Sequence, residues 1–135
     1  MAVRISRPLL ERIISLARAE PEREVCGLLL GDPEDISDIQ IASNVADDPA
    51  RNFEIEPATL LRAHREARMG GLSIIGHYHS HPGGSSTPSS ADAAEALEDD
   101  VLWLIVGIDD ARLWRSGAGG LHGRFTPEQL VAGRH

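Results

Sequence analysis

Apolar residues in the first third of the chain follow first a helical and then a strand-like spacing. In residues 8–19 the leucines and isoleucines recur at intervals of three and four, which predicts an amphipathic helix that Pro21 ends. The continuous apolar run at residues 25–30 has the length of a strand and indicates burial on both faces of a sheet. Residues 36–45 alternate in part between apolar and polar, so we expect a neighbouring strand there.

The middle of the chain predicts a strand between two helices. Residues 53–56 have the composition of a short strand, and a proline then opens a helix over residues 57–69 that a glycine pair ends. Residues 72–79, with isoleucines near their centre, predict the next strand. After a loop rich in glycine and serine, a Thr-Pro pair resembles the N-cap and first turn of a helix over residues 87–97.

Three further strands are expected after that helix. Residues 101–107 form an apolar run, residues 112–115 suit a hairpin partner, and residues 122–125 suit a final short strand before Pro127 begins a turn. Helices and strands thus alternate early, and strands cluster late. The pattern predicts an α/β fold with a mixed β-sheet and flanking helices, in a single domain over residues 1–135, which is the usual size of one domain.

Composition and charge exclude some classes of function. Hydrophobic residues make up 41% of the chain, enough to build a core without disulfides. The formal net charge of -8 opposes binding to nucleic acid, which draws most of its affinity from basic patches. Arg62, Arg65 and Arg68 lie on a predicted helix, where such a run is typical of a solvated face. We therefore expect no nucleic-acid partner.

The single cysteine and the absence of long apolar runs indicate the compartment. Cys26 alone can form neither an internal disulfide nor a zinc site that needs two thiolates. Charged residues interrupt residues 1–20, so no signal core is present, and the longest apolar run, residues 101–106, is far too short to span a membrane. A soluble cytoplasmic protein without membrane contact is expected. The sequence does not indicate an oligomeric state.

Residues 76–96 contain the side chains that suggest chemistry. Side chains two apart on an extended segment share a face, so His79 and His81, at the end of a predicted strand, can reach one metal ion. Ser89 and Asp92 are three apart on a predicted helix and also share a face. Two imidazoles, a carboxylate and a water molecule form an open catalytic zinc site.

Spacing alone leaves the ligand set open. His77, His79 and His81 alternate, so any two of them or all three can be ligands. Taken alone, the Ser89-x-x-Asp92 pair is more often a helix capping box than a ligand pair. Three histidines within five residues are costly to bury without partners, however, and this density favours a metal site.

A longer motif makes the resemblance to one family specific. The string His79-Ser80-His81-Pro82 is followed by Ser89 seven residues after the proline and by Asp92 three residues later, which resembles the signature of the JAMM/MPN+ zinc metalloproteases. Residues 24–31 resemble the E-x-x-G-x-L-x-G strand of the same family. Three more residues fall where bacterial members tend to carry such residues: Asn44, Phe53 and Pro57.

The resemblance implies a cytidine-deaminase-like α/β fold that binds one zinc ion, Zn(II), per chain. It implies that His79, His81 and Asp92 are the ligands, that Glu24 is the general base, and that Ser89 supports the tetrahedral intermediate. The first of the three histidines is then not a ligand. Zinc would lower the pKa of water to about 7, so hydrolysis at neutral pH needs only a base to move protons.

The resemblance also implies a substrate class. Family members cleave amide or isopeptide bonds after the C-terminal Gly-Gly of ubiquitin or ubiquitin-like proteins, and stand-alone bacterial members process small sulfur-carrier proteins with that tail. The segment between Asp92 and Val101 is short, which leaves little room for the insertions of polyubiquitin-specific members. An adduct of a sulfur carrier is therefore the preferred substrate.

Other interpretations compete with this one. A hydrolase dependent on Cys26 is weakened because that residue lies inside an apolar strand. A zinc nucleobase deaminase needs a Pro-Cys-x-x-Cys pair, which a single cysteine cannot supply. A metal-free scaffold domain of the same superfamily would lack the ligands. RadC-like proteins, associated with DNA repair, usually carry Asn where this chain has Ser80 and have an additional N-terminal module.

Overall fold

The computed structural model describes residues 2–133, which form seven strands and three helices. The strands are β1 (Ala2–Ser6), β2 (Cys26–Asp32), β3 (Asp35–Ala42), β4 (Ser73–Ser80), β5 (Leu102–Val106), β6 (Ala111–Leu121) and β7 (Phe125–Gly133). The helices are α1 (Arg7–Arg18), α2 (Pro57–Arg68) and α3 (Ser90–Glu95). No described helix has both the length and the apolar character needed to cross a membrane.

The strands form one barrel in the order β1-β3-β2-β4-β5-β6-β7. β7 pairs with β1 in parallel and closes the barrel, β4 and β5 are also parallel, and the β2–β3, β2–β4, β5–β6 and β6–β7 pairs are antiparallel. The predicted mixed sheet with flanking helices is therefore confirmed. Its closure into a barrel was not predicted.

Local sequence explains where the first helix begins and which face it buries. The Ser6 side chain accepts a hydrogen bond from the Leu9 amide at 3.2 Å and so caps α1, and a proline occupies the first turn. Ile13 and Ala17, four residues apart, are buried against the barrel. The predicted helix over residues 8–19 agrees with α1 to within one residue at each end.

Two apolar clusters lie on opposite faces of the sheet. Because side chains alternate along a strand, Leu102 and Leu104 join the cluster that packs against α1, whereas Trp103 and Ile105 face the other side. The second group, called here the aromatic cluster, consists of Ala96, Trp103, Ile105, Trp114 and Phe125. In the parallel register of β4 and β5, His79 lies opposite Ile105, so the aromatic cluster forms the floor beneath the histidines.

The sequence predictions were wrong for the first strand, the last strand and helix α3. β1 was not predicted, although Val3 and Ile5 are almost fully buried. The predicted strand at residues 122–125 and turn at Pro127 are replaced by β7, while His122 lies in the preceding turn with φ 53°. Helix α3 is shorter than predicted, and its cap is Ser89 rather than Thr87.

Candidate metal centre

Four side chains converge where β2 begins, β4 ends and α3 begins. The Nε2 atoms of His79 and His81 are 3.0 Å apart. The two carboxylate oxygens of Asp92 lie 3.3 Å from His79 Nε2 and 3.1 Å from His81 Nε2. Ligand atoms of Glu24, His79 and His81 lie within 4.8 Å of one another. The structure thus brings together all three predicted ligands and the predicted base.

Strand β4 places the two histidines on one face, as predicted. His79 is its penultimate residue and is fully buried, whereas the side chain of His81, just beyond the strand, is 14% exposed. The His81 amide still donates to the Val106 carbonyl at 2.8 Å, so the extended geometry continues past the end of β4. His79 therefore lies at the floor of the centre and His81 at its mouth.

Helix α3 positions Asp92 through a reciprocal capping box. The Asp92 amide donates to Ser89 Oγ at 3.0 Å, and the Ser89 amide donates to Asp92 Oδ2 at 2.9 Å. The same oxygen, Oδ2, faces His81 Nε2. The spacing of Ser89 and Asp92 left a capping box and a metal-facing carboxylate as alternatives. In the structure the pair forms the capping box while Asp92 faces the histidines, so both interpretations hold.

A backbone carbonyl fixes the orientation of the His81 ring. His81 Nδ1 lies 2.8 Å from the Ser85 carbonyl oxygen, which can only accept, so Nδ1 carries the proton and Nε2 directs its lone pair into the centre in the neutral ring. The neighbouring residue, Ser86, anchors this loop because its hydroxyl donates to Asp110 at 2.5 Å and its carbonyl accepts from Trp114 Nε1 at 3.0 Å.

The aromatic ring of Phe53 packs against the His79 ring. Phe53 stacks on the His79 ring with centroids 4.2 Å apart and an interplanar angle of 18°. His79 Nδ1 is buried and has no hydrogen-bond partner within the described part of the chain. The motif placed Phe53 among residues typical of bacterial members but did not indicate this contact, because it depends on how the loop before α2 folds over β4.

Glu24 lies directly before β2 and is 5% exposed, whereas Glu22 is exposed. Its amide donates to the Pro49 carbonyl at 2.7 Å, and the next amide, that of Val25, donates to Ser80 Oγ at 2.9 Å. Burial raises the pKa of the Glu24 carboxyl to about 7. Its Oε1 atom accepts no hydrogen bond from any described residue. Glu24 and Glu22 therefore differ in burial, which the amino-acid composition of the segment does not indicate.

The charges around the centre favour a cation between the imidazoles and the carboxylate. Burial opposes ionisation of Asp92, but hydrogen bonds from His79, His81 and the Ser89 amide hold its pKa far below the usual range. Burial lowers the pKa of His79. Burial also disfavours the charged form of His81, but its bonds to Asp92 and to the Ser85 carbonyl outweigh this and raise its pKa.

The donor set fits zinc in type and spacing. Neutral imidazole nitrogens and a carboxylate are ordinary zinc ligands, and bonds of 2.0–2.1 Å in a tetrahedron place ligand atoms about 3.3 Å apart. The separations among His79, His81 and Asp92 are 3.0–3.3 Å. Without a positive charge between them, these lone pairs would repel one another, so the arrangement is suited to a metal ion or a proton.

His77 and Cys26 lie outside this donor set. The His77 ring packs edge-on against Trp103 with centroids 4.3 Å apart, and burial lowers its pKa to about 3, so the ring is a neutral part of the floor. Cys26 is 1% exposed, and burial raises the pKa of its thiol to about 11. A thiol with so little thiolate at neutral pH is a poor nucleophile, which argues against a hydrolase dependent on Cys26.

Comparisons with known proteins agree on one family. A family model described as prokaryotic homologs of the JAB domain matches residues 6–117. A desampylase of Haloferax volcanii is 32% identical over 95 residues, which cover 69% of this chain and 68% of that protein. A probable TtuB-protein conjugate cleaving protease of Thermus thermophilus is 33% identical over 108 residues, 80% of this chain and 72% of that protein.

Solved structures share the fold. A protein of Desulfitobacterium hafniense superposes with a TM-score of 0.81 at 23% identity, over 100% of this chain and 94% of that one. A JAB1/MPN domain protein of Archaeoglobus fulgidus superposes with a TM-score of 0.60 at 19% identity, over 96% of each chain. At these identities the likeness concerns the fold alone, and it confirms the fold that the sequence motif implied.

Proposed function

The chain belongs to the family of prokaryotic homologs of the JAB domain, and on that premise we propose that it is a zinc-dependent isopeptidase acting on conjugates of a ubiquitin-like or sulfur-carrier protein. As a member of this family it is a hydrolase of the JAMM type. The observation that carries the proposal is the approach of two imidazole nitrogens and the Asp92 carboxylate to within 3.0–3.3 Å of one another, beside the buried Glu24.

His79, His81 and Asp92 are assigned as the zinc ligands, one ion per chain. Asp92 is preferred to Glu24 as the third ligand because each of its oxygens faces one of the two Nε2 atoms. Its orientation is also fixed by the Ser89 amide. Glu24 lies near the same atoms but keeps one oxygen without a partner among the described residues, which leaves it available to exchange protons.

Different residues of the chain have different roles in the proposed hydrolysis. When bound, zinc would polarise the scissile carbonyl and bring the pKa of water to about 7. Glu24 takes a proton from the attacking water and delivers it to the leaving amine, so one carboxylate serves as base and then as acid. The buried floor formed by Phe53 and the aromatic cluster excludes bulk water from the inner side of the centre.

Ser89 is assigned a second task besides capping α3. Its oxygen accepts the Asp92 amide, but within residues 2–133 its hydroxyl donates no hydrogen bond. A hydroxyl can accept and donate at once. We assign the free donor to the carbonyl oxygen on which negative charge develops during attack.

Replacing Ser89 by alanine separates these two tasks. Loss of a donor to the developing charge should lower kcat about 10²- to 10³-fold with KM nearly unchanged. Loss of the cap should cost about 1 kcal/mol of stability. Ser90→Ala, in the adjacent exposed position, is the matched control. A lower melting temperature with normal kcat, measured where the protein remains folded, would leave Ser89 as a cap only.

The short connection between α3 and β5 favours a substrate with a short C-terminal tail over polyubiquitin. α3 ends at Glu95 and β5 begins at Leu102, so no inserted segment follows Asp92. The relative from Thermus thermophilus is named for cleaving TtuB-protein conjugates. We therefore assign as substrate a conjugate made through the C-terminal Gly-Gly of a small sulfur-carrier or ubiquitin-like protein.

Mass spectrometry of extended carriers tests this function. The zinc-loaded protein should release the extension from ubiquitin-like sulfur carriers lengthened beyond Gly-Gly, and a chelator should stop the release. The same carriers with Gly-Gly replaced by two bulky residues are the control. Cleavage of unrelated peptides, with none of any Gly-Gly carrier, would refute the substrate class. Binding without cleavage by zinc-loaded protein would instead favour the scaffold alternative.

A further inference from the structure

The side chain of Asn44 makes four hydrogen bonds. Its Nδ2 donates to the Glu24 carbonyl at 2.9 Å and to the Asn52 carbonyl at 3.0 Å. Its Oδ1 accepts from the amides of Ala46 and Glu54, both at 3.0 Å. Two carbonyls and two amides define the orientation of the side-chain amide, because only one orientation satisfies all four. Every polar capacity of this side chain is therefore used.

These bonds join the two sides of the candidate centre. One side is the peptide of Glu24, which immediately precedes β2. The other is the loop over residues 45–56, which carries Phe53 and stacks that ring on His79. Asn44 itself lies just after β3, and none of its four side-chain hydrogen bonds goes to a side-chain atom of Glu24, His79, His81 or Asp92. Its hydrogen bonds instead fix the backbone of Glu24 relative to the loop that carries Phe53.

We propose that Asn44 is a positioning residue that sets the placement of Glu24 relative to His79 and His81. The inference rests on the proposed function, in which Glu24 moves the protons. A displacement of about 1 Å at a catalytic group can cost about 10²-fold in rate. Loss of the Nδ2 bond to Glu24 should therefore lower kcat while the zinc ligands stay in place.

Asn44→Asp is the sharper of two variants. It keeps an oxygen for the Ala46 and Glu54 amides but turns a second oxygen toward the Glu24 and Asn52 carbonyls, so it disrupts the donor side alone. With the extended sulfur carrier as substrate, kcat should fall about 10- to 100-fold, while KM and zinc content change by less than about twofold. Asn52→Ala is the matched control because its side chain is exposed and only its backbone carbonyl is used.

A double-mutant cycle with Glu24→Gln decides whether Asn44 acts through Glu24. In the Glu24→Gln background, Asn44→Asp and Asn44→Ala should cause little further loss, because the group they displace no longer acts. Equal losses in both backgrounds would overturn the inference and leave the proposed function standing. Normal turnover in Glu24→Gln alone would overturn the inference and the assignment of Glu24 as the base, while cleavage of the carrier would still support the isopeptidase function. If Asn44→Ala does not fold, the cycle with Asn44→Asp gives the same decision.

Amide hydrogen exchange on metal-stripped protein provides a readout without turnover. The Glu24 and Val25 amides are bonded to the Pro49 carbonyl and Ser80 Oγ and should exchange slowly in the unmodified chain. Asn44→Asp should raise their exchange rates at least about tenfold, and Asn52→Ala should not. Unchanged exchange at Glu24 in Asn44→Asp would overturn the inference.

Discussion

Glu24→Gln is expected to lower kcat about 10²- to 10⁴-fold while zinc content and KM remain close to those of the unmodified protein. Glutamine keeps the size and polarity of the side chain in a pocket where it is 5% exposed, but it cannot accept a proton from water. The fold and the ligand set should therefore survive. Steady-state kinetics on an extended sulfur carrier, with zinc measured by atomic absorption, gives both quantities.

Glu22→Gln is the internal control for this experiment. The two glutamates are two residues apart, but Glu22 is exposed, and its replacement should leave kcat within about twofold. Normal turnover in Glu24→Gln would remove Glu24 from the mechanism. Loss of zinc in Glu24→Gln would instead assign this carboxylate to the metal.

Asp92→Ala is expected to weaken zinc binding by at least about 10²-fold and to abolish measurable turnover. Residues that only support a ligand cost about 10–100-fold in metal affinity when removed, and loss of a ligand itself should cost more. The variant also loses one half of the capping box, so some loss of stability is expected. Competition with a chromogenic chelator measures the affinity, and thermal melting measures the stability.

Two further variants separate the loss of a ligand from the loss of the cap. Asp92→Asn keeps an oxygen for the Ser89 amide but loses the charge, so it should bind zinc poorly while melting close to the unmodified metal-free protein. Asp109→Ala removes an exposed carboxylate in the β5–β6 turn and should change neither quantity. Unchanged zinc affinity in both Asp92 variants would contradict the ligand assignment.

The elements predicted best were those with an uninterrupted apolar pattern along one segment. Helix α1 buries one stripe, and β2 is buried along most of its length, so spacing alone locates both. β1 was missed because its alternation spans only five residues and runs directly into α1. The sequence predicts that a turn begins at Pro127, but Pro127 lies opposite Trp114 within β7. The β1–β7 pairing joins distant segments and leaves no local signal.

The candidate site was predictable to the extent that it follows from spacing. The two-residue interval of His79 and His81 placed both on one face, and the structure brings Asp92 to them. Glu24 could be separated from Glu22 only through the family motif, because burial is a property of the folded chain. The four bonds of Asn44 depend on the path of the loop that follows it, which no periodicity describes.

The C-terminal strand β7 also completes the floor of the candidate centre. Phe125, at the start of β7, is fully buried and packs edge-on against Trp103 with centroids 5.0 Å apart, and Trp103 in turn packs against His77 and His79. All three proposed zinc ligands therefore precede, in the sequence, the strand that completes their floor, so support of the centre depends on the C-terminal strand as well as on the motif.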